Sequence, residues 1–207
     1  GPNDGLWFKD DARGLGADGT PPPAFTLATF GGLRGGNITL ARSDDGLRSW
    51  QTLGPPLLAT RPDAWDNATL SSAACPVKLS DGNWFLIYNV DNKWPVVDPK
   101  PLPPYGRCAL GWAVLDKDDP TRVLARSDAP LLYAELPWET ASSIKSVYTD
   151  GIKAEGDDTF VIFAGTADTD VEAVRVKVTI TSAARTSSVE NGRVTVDGRP
   201  FFLLGSY

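Results

Sequence analysis

The sequence predicts an all-β chain whose strands gather into repeated antiparallel sheets of the β-propeller kind. Three observations carry that reading. Short runs rich in β-branched and aromatic residues are joined by tight turns at Asp18-Gly19, Asp81-Gly82 and Gly156-Asp157, and Asp-Gly between apolar runs is the strongest short-range hairpin signal. No stretch holds helical periodicity over roughly 11 or more residues. The strand–turn–strand unit occurs three times, and each copy is followed by a loop and a further strand. That is a four-stranded sheet plus loops per repeat, which radial blades explain better than a sandwich.

The first unit runs from Leu6 to Arg13, turns at Ala17-Asp18-Gly19-Thr20, and returns from Ala24 to Phe30, with a further strand from Asn37 to Arg42. Ser43 to Trp50 then reads as a structural turn whose Asp and Ser side chains bond nearby backbone; it is similar to the sialidase Asp-box, with the Gly one place early. The second unit is Cys75 to Leu79, Asp81-Gly82, and Trp84 to Asn89. Its further strand is Ala109 to Leu115, where Gly111 marks a bulge or a close approach of another group. Asp116 to Pro120 cannot continue a central strand, because Pro120 has no backbone donor, so the chain turns and re-enters at Val123. The third unit is Tyr148 to Lys153, Gly156-Asp157, and Phe160 to Ala164, followed by Val171 to Ile180. Leu40-Ala41-Arg42-Ser43-Asp44 recurs as Leu124-Ala125-Arg126-Ser127-Asp128, which predicts internal duplication. Residues 1–180 are therefore read as a partial propeller. Residues 181–192 are polar and read as a linker. Residues 193–207 form a hairpin that either starts a following domain or closes the propeller.

Composition bounds the function. At 207 residues, 42% hydrophobic and 22% charged, the chain has the make-up of an ordinary globular protein with one sizeable core. A net charge of −6 argues against a nucleic-acid surface, which needs a basic patch. No apolar run approaches the roughly 20 residues of a membrane span. With no His and two Cys, no metal site and no cofactor are expected. Cys75 and Cys108 flank the long Pro-rich loop and are expected to be joined in a disulfide, the alternative being two buried free thiols. Sequons stand at Asn37 and Asn67. These features together predict an extracellular, secreted glycoprotein.

From Trp84 to Asp170 the chain resembles glycoside hydrolase family 130, the mannoside phosphorylases and related hydrolases. The family pattern of Trp, apolar strand, Tyr-His-Gly, then Tyr-Arg-Leu-Gly-Ala-Ala-Leu-Leu-Asp is matched by WFLIYN and YGRCALGWAVLD. The Asp-Asp-Pro turn with the following Val, Arg and Pro-Leu is matched by Asp118-Asp119-Pro120, Val123, Arg126 and Pro130-Leu131. The closing-blade pattern Tyr-Tyr-Gly-Ala-Ala-Asp-Thr is matched by Phe163 to Thr169. The resemblance implies a five-bladed propeller, of which about three blades stand in this chain, and hence further polypeptide supplying the missing blades.

It also implies a site. The family's Glu-Asp-Pro-Arg corresponds to Asp10-Asp11-Ala12-Arg13, making Asp11 the general acid and Arg13 a substrate-facing cation. Asn89, Asp91, Tyr105, Asp150 and Asp168 are the further substrate-binding candidates, with Asp66 and Asn67 at comparable positions. Asp168 is expected to bond substrate hydroxyls. Trp65, Trp94 and Trp138 fall in loops where an aromatic face can stack a sugar, whereas Trp84 and Trp112 read as core. Asn89 stands where the family carries the imidazole that helps hold phosphate. The implied partner is an oligosaccharide or polysaccharide, β-mannosides above all, with turnover left open and phosphorolysis not expected. The other class open to the chain is a non-catalytic module of an extracellular glycoprotein assembly.

Overall fold

Among the described residues the strands assemble into antiparallel sheets of four, six and four strands and a small one of three, with the order of a propeller meander and almost no helix. The computed structural model describes residues 36–67, 69–91, 105–141 and 145–179, and the strand backbone at 5–8, 26–30, 187–190, 193–196, 199–200 and 202–205. The first sheet is β1 (Gly5–Phe8), β2 (Thr26–Phe30), β3 (Thr39–Ser43) and β4 (Gln51–Thr52), paired in sequence order. The second sheet has β7 (Trp84–Asp91) and β8 (Cys108–Leu115) at its centre. Beside β7 lie β5 (Thr69–Ser72) and β6 (Val77–Lys78), two halves of one interrupted strand, and beside β8 lie β9 (Val123–Arg126) and β10 (Leu132–Tyr133). The third sheet runs β11 (Val147–Gly156), β12 (Thr159–Thr166), β13 (Asp170–Val178) and, from the C-terminal stretch, β17 (Phe202–Gly205). A small sheet of β14 (Ser187–Glu190), β15 (Arg193–Val196) and β16 (Arg199–Pro200) lies between them in sequence, so a strand stands inside the span read as linker. The one described helix is the short α1 (Pro137–Thr140).

The second sheet is covered on both faces, which explains why WFLIYNV is an unbroken buried run rather than an alternating one. Trp84, Leu86, Tyr88 and Val90 of β7 pack with Ile38, Leu40 and Leu58 of the first sheet and its following loop. Phe85 and Ile87 point the other way and join Leu110, Trp112, Phe160, Ile162 and Val176. Each fully buried side chain of this size is worth about 1.5–3 kcal/mol. Phe85 and Phe160 stack across the boundary of the second and third sheets, 5.6 Å between centroids. The far face of the third sheet is barer, with Tyr148, Phe163 and Val171 exposed.

The turns follow the chemistry of their residues. In the β8–β9 turn, Asp116 Oδ1 accepts the backbone N–H of Asp118 at 2.8 Å and of Asp119 at 3.1 Å. Asp157 and Asp158 both have positive φ (49° and 54°), which matches the right-handed twist of the flanking strands. Asp45 organises the turn after β3. It accepts bonds from Ser43 Oγ, the Arg48 and Ser49 amides and Ser49 Oγ, and those donors, led by the Ser49 hydroxyl, lower its pKa to about 2. Gly111 is a close-approach point within a continuous ladder: a Cβ there would stand 2.3 Å from Tyr88 Cζ.

Two expectations are corrected. Cys75 and Cys108 are free thiols, Cys75 exposed and Cys108 half-buried. Cys75 stands two residues before Val77, which pairs Phe85 on one side of β7, whereas Cys108 pairs Asp91 on its other side. Four or more residues of register at about 3.4 Å each separate them, against the roughly 4.4–6.8 Å between Cα atoms that a disulfide requires. The Leu-Ala-Arg-Ser-Asp repeat does not mark equivalent positions. Its first copy lies on β3, third in its sheet, and its second on β9, in the interrupted fourth strand.

Candidate functional site

Polar side chains converge where β7 ends, β8 and β11 begin, and β12 ends. Cys108 pairs Asp91 within the second sheet and bridges to Ser146 ahead of β11. The Arg107 amide donates to Lys145 O at 2.9 Å, and the Ala167 amide donates to Ser146 O at 2.9 Å. The Arg107 bond and the Cys108 bridge fix the ends of two blades against each other, and the Ala167 bond closes the end of the third sheet. Asp91 Oδ1 faces Arg107 Nε at 3.6 Å, an ion pair too long to be a hydrogen bond. Burial, and then the Asp91 carboxylate, push the Cys108 thiol up to about 12, with Arg107 opposing; the thiol is inert at neutral pH. The hydroxyls of Ser72, Ser146 and Thr166 are buried and make no hydrogen bond to any described residue. A carboxylate beside a guanidinium, both partly exposed, suits a polyhydroxylated ligand, whose groups both donate and accept.

Asp168 lies at the rim, in the turn between β12 and β13, exposed and with φ 60°. Ala167 beside it also has positive φ (52°) while buried. Two non-glycine residues in the left-handed region carry local strain, of a kind that collects at functional sites. Asn89 is buried one step down from Asp91. Its Oδ1 accepts the Thr149 amide at 3.1 Å, and its Nδ2 donates to Thr149 O and to Ser72 O, both at 3.4 Å.

The other candidates are spread out. Asp11 and Arg13 lie outside the described residues, as do Trp94 and the side chain of Asp150. The Tyr105 ring packs edge-on against Trp65 and Tyr133, at 6.4 and 5.2 Å between centroids. Trp65 also stacks on Tyr88 at 6.2 Å, whereas Trp138 is 52% exposed on α1. Trp84 and Trp112 are buried, as core residues should be. Of the sequon residues, Asn37 accepts the Thr60 amide at 3.0 Å and Asn67 is exposed.

Asp66 does not face a ligand. It is fully buried between Arg61, whose Nε lies 2.8 Å from Oδ1, and Arg126, which bonds Oδ2. Tyr88 donates its hydroxyl to Asp66 Oδ2 at 3.0 Å, and Arg126 Nε donates to Tyr88 at 3.2 Å. Burial raises the Tyr88 phenol to about 12 against the pull of Arg126. This network ties the loop before β5 to the second sheet and is structural.

Sequence reasoning missed a carboxyl pair. Glu139 of α1 is buried and accepts the amides of Glu135 at 2.9 Å and Leu136 at 2.7 Å, capping the helix start. Glu172 of β13 is pushed up to about 7 by burial and by the Glu139 carboxyl. The acidic residue at the third position after a Pro-led turn was the available signal for Glu139; nothing local pointed to Glu172.

Residues 28–180, well over half of the chain, match the family described as beta-1,4-mannooligosaccharide phosphorylase. The chain is 35% identical over 133 residues to the 1,2-beta-oligomannan phosphorylase of Thermoanaerobacter sp. (strain X514), covering 64% of this chain and 40% of that protein. It is 29% identical over 154 residues to the beta-1,2-mannobiose phosphorylase of Listeria innocua serovar 6a, covering 74% and 38%. The solved structure of the Listeria innocua beta-1,2-mannobiose phosphorylase with beta-1,2-mannobiose matches at a TM-score of 0.60 and 26% identity, over 86% of this chain and 45% of that one. The chain thus spans less than half the length of these relatives.

Proposed function

The chain belongs to glycoside hydrolase family 130, and from that premise we propose that it forms part of a β-mannoside-recognising propeller that does not use phosphate as acceptor. The observation that carries this reading is the half-buried Asp91–Arg107 pair where the second and third sheets meet. Asp91 and Arg107, each with about a third of its side chain exposed, offer an acceptor and donors for sugar hydroxyls there. The relatives named above act, by their names, on β-linked mannosides, which supports a ligand of that class.

Inverting glycosyl transfer needs a protonated carboxyl at the leaving oxygen and a nucleophile on the opposite face of the sugar. Asp11 is proposed as the acid and Asp168 as a hydroxyl-binding group at the rim. Phosphate as nucleophile calls for a dense set of cationic donors. The Asn89 side chain carries no charge, and its amide is already bonded to Thr149 and Ser72. Losing one charge-assisted contact costs about 1.5–3 kcal/mol, or roughly 10- to 150-fold in phosphate affinity.

Titration calorimetry of the complete natural protein tests the recognition half. Saturable binding of β-1,2-mannobiose, with cellobiose bound far more weakly and excess phosphate leaving the affinity unchanged, is the expected outcome. Equal binding of the two disaccharides, or binding of neither, overturns the proposal.

A further inference from the structure

The inner strand of the third sheet carries a defect in its ladder, and one side chain of the second sheet holds it. Along β11 and β12 the register passes from Thr149↔Ala164 to Gly151↔Phe163, so Asp150 is an extra residue with no partner of its own. Such a bulge bends the strand and changes the direction in which the local side chains are presented. Thr149 closes it from inside: its buried hydroxyl accepts the Gly151 amide at 3.1 Å and donates to Phe163 O.

On the other edge of β11, where no strand of its own sheet pairs, the Asn89 carboxamide takes the place of a strand. It accepts from Thr149 N and donates to Thr149 O, as a peptide group opposite Thr149 would. Its second bond, to Ser72 O, anchors the same amide to β5, the inner strand of the second sheet. Asn89 therefore joins the inner strands of two blades at the residue preceding the bulge. An aliphatic residue here would leave a buried N–H and two carbonyls without these partners. Asn also supplies an acceptor and two donors in one planar group, whereas an ionised Asp has no donor and a neutral His only one.

We infer that Asn89 is a positioning residue: its amide locks the Thr149–Gly151 bulge and so sets the course of the strand at Asp150, one of the substrate-binding candidates of the sequence. The substrate half of this inference rests on the β-mannoside reading; the lock itself does not. In N89A the Thr149 amide should exchange its hydrogen roughly tenfold faster or more, while protection across β12 and β13 is kept, because one buried hydrogen bond is lost. N89D, which retains the acceptor for Thr149 N–H but not the donors, should fall between N89A and wild type, and it serves if N89A folds poorly.

In the complete protein, N89A should weaken β-1,2-mannobiose binding by roughly tenfold, and D150N should weaken it as well. The double variant N89A/D150N should bind no more weakly than D150N alone, since residues acting through one another are not additive. Additive losses, unchanged binding in N89A, or unchanged exchange at Thr149 overturn the inference. A wild type that binds no β-1,2-mannobiose overturns the β-mannoside reading and with it the role of Asp150, while the exchange measurement still judges the lock.

Discussion

Replacing Asp66 by Ala should destabilise the protein by about 3–5 kcal/mol, since removing one partner of a buried ion pair leaves the other charged and unpaired. Asp66 is fully buried and serves two guanidiniums and a phenol at once. Arg126 has the least escape, with 13% of its side chain exposed against 30% for Arg61. Arg61 can turn partly to solvent and keep its bonds to Ser127 O and Asp128, which places the cost toward the lower end. Arg126 lies over the Tyr88 ring, 5.2 Å from its centroid, and would stay desolvated. Chemical denaturation of wild type and D66A provides the measurement. A loss below about 1 kcal/mol, the range of an exposed pair, would show that the network is not buried as described.

Gly111→Ala gives the second large effect, and here the sign itself is informative. Where the backbone is unstrained, Gly→Ala commonly stabilises by about 0.4–1 kcal/mol through the unfolded chain, and Gly inside a strand is ordinarily a weakness. At Gly111 the new methyl would meet Tyr88 Cζ at 2.3 Å and the Tyr88 oxygen at 2.6 Å. Tyr88 cannot swing away without giving up Asp66 and Arg126. Overpacking of this kind costs about 1–3 kcal/mol or more, so the melting temperature should fall. A G111A protein as stable as wild type would mean that Tyr88 does not lie over the β8 backbone. The parallel contact in the third sheet is looser, with 3.0 Å between an added Cβ on Gly165 and Tyr148 Cζ.

What the sequence made legible was local. Runs rich in β-branched and aromatic residues, with turn residues between them, located the hairpins around Asp81-Gly82 and Gly156-Asp157, and the donorless Pro120 ended the strand that begins at Cys108. These signals act over a few residues, and they were enough for an all-β chain of repeated sheets. What pairs with what across the sheets is decided by side chains far apart in sequence, and there the reading failed or was silent. Asp66 looked like a pocket residue because its partner Arg126 is 60 positions away. The thiols looked joinable because their spacing does not reveal that β7 stands between them. The repeated Leu-Ala-Arg-Ser-Asp looked like duplication, yet in one copy the Arg meets an exposed Asp44 and in the other it reaches the buried Asp66. Asn89 was identified as a substitution in a family pattern, but its hold on Thr149, also 60 positions on, is a fact of how two blades meet.

The proposed ligand class rests on the family resemblance, and the described geometry bears most directly on the acceptor. The decisive measurement incubates the complete natural protein with β-1,2-mannobiose, with and without inorganic phosphate, and separates the products. An Asn89 amide engaged with Thr149 and Ser72 predicts no mannose 1-phosphate under either condition, any sugar released being free mannose at a rate indifferent to phosphate. Mannose 1-phosphate formed at an appreciable, phosphate-dependent rate would contradict the account.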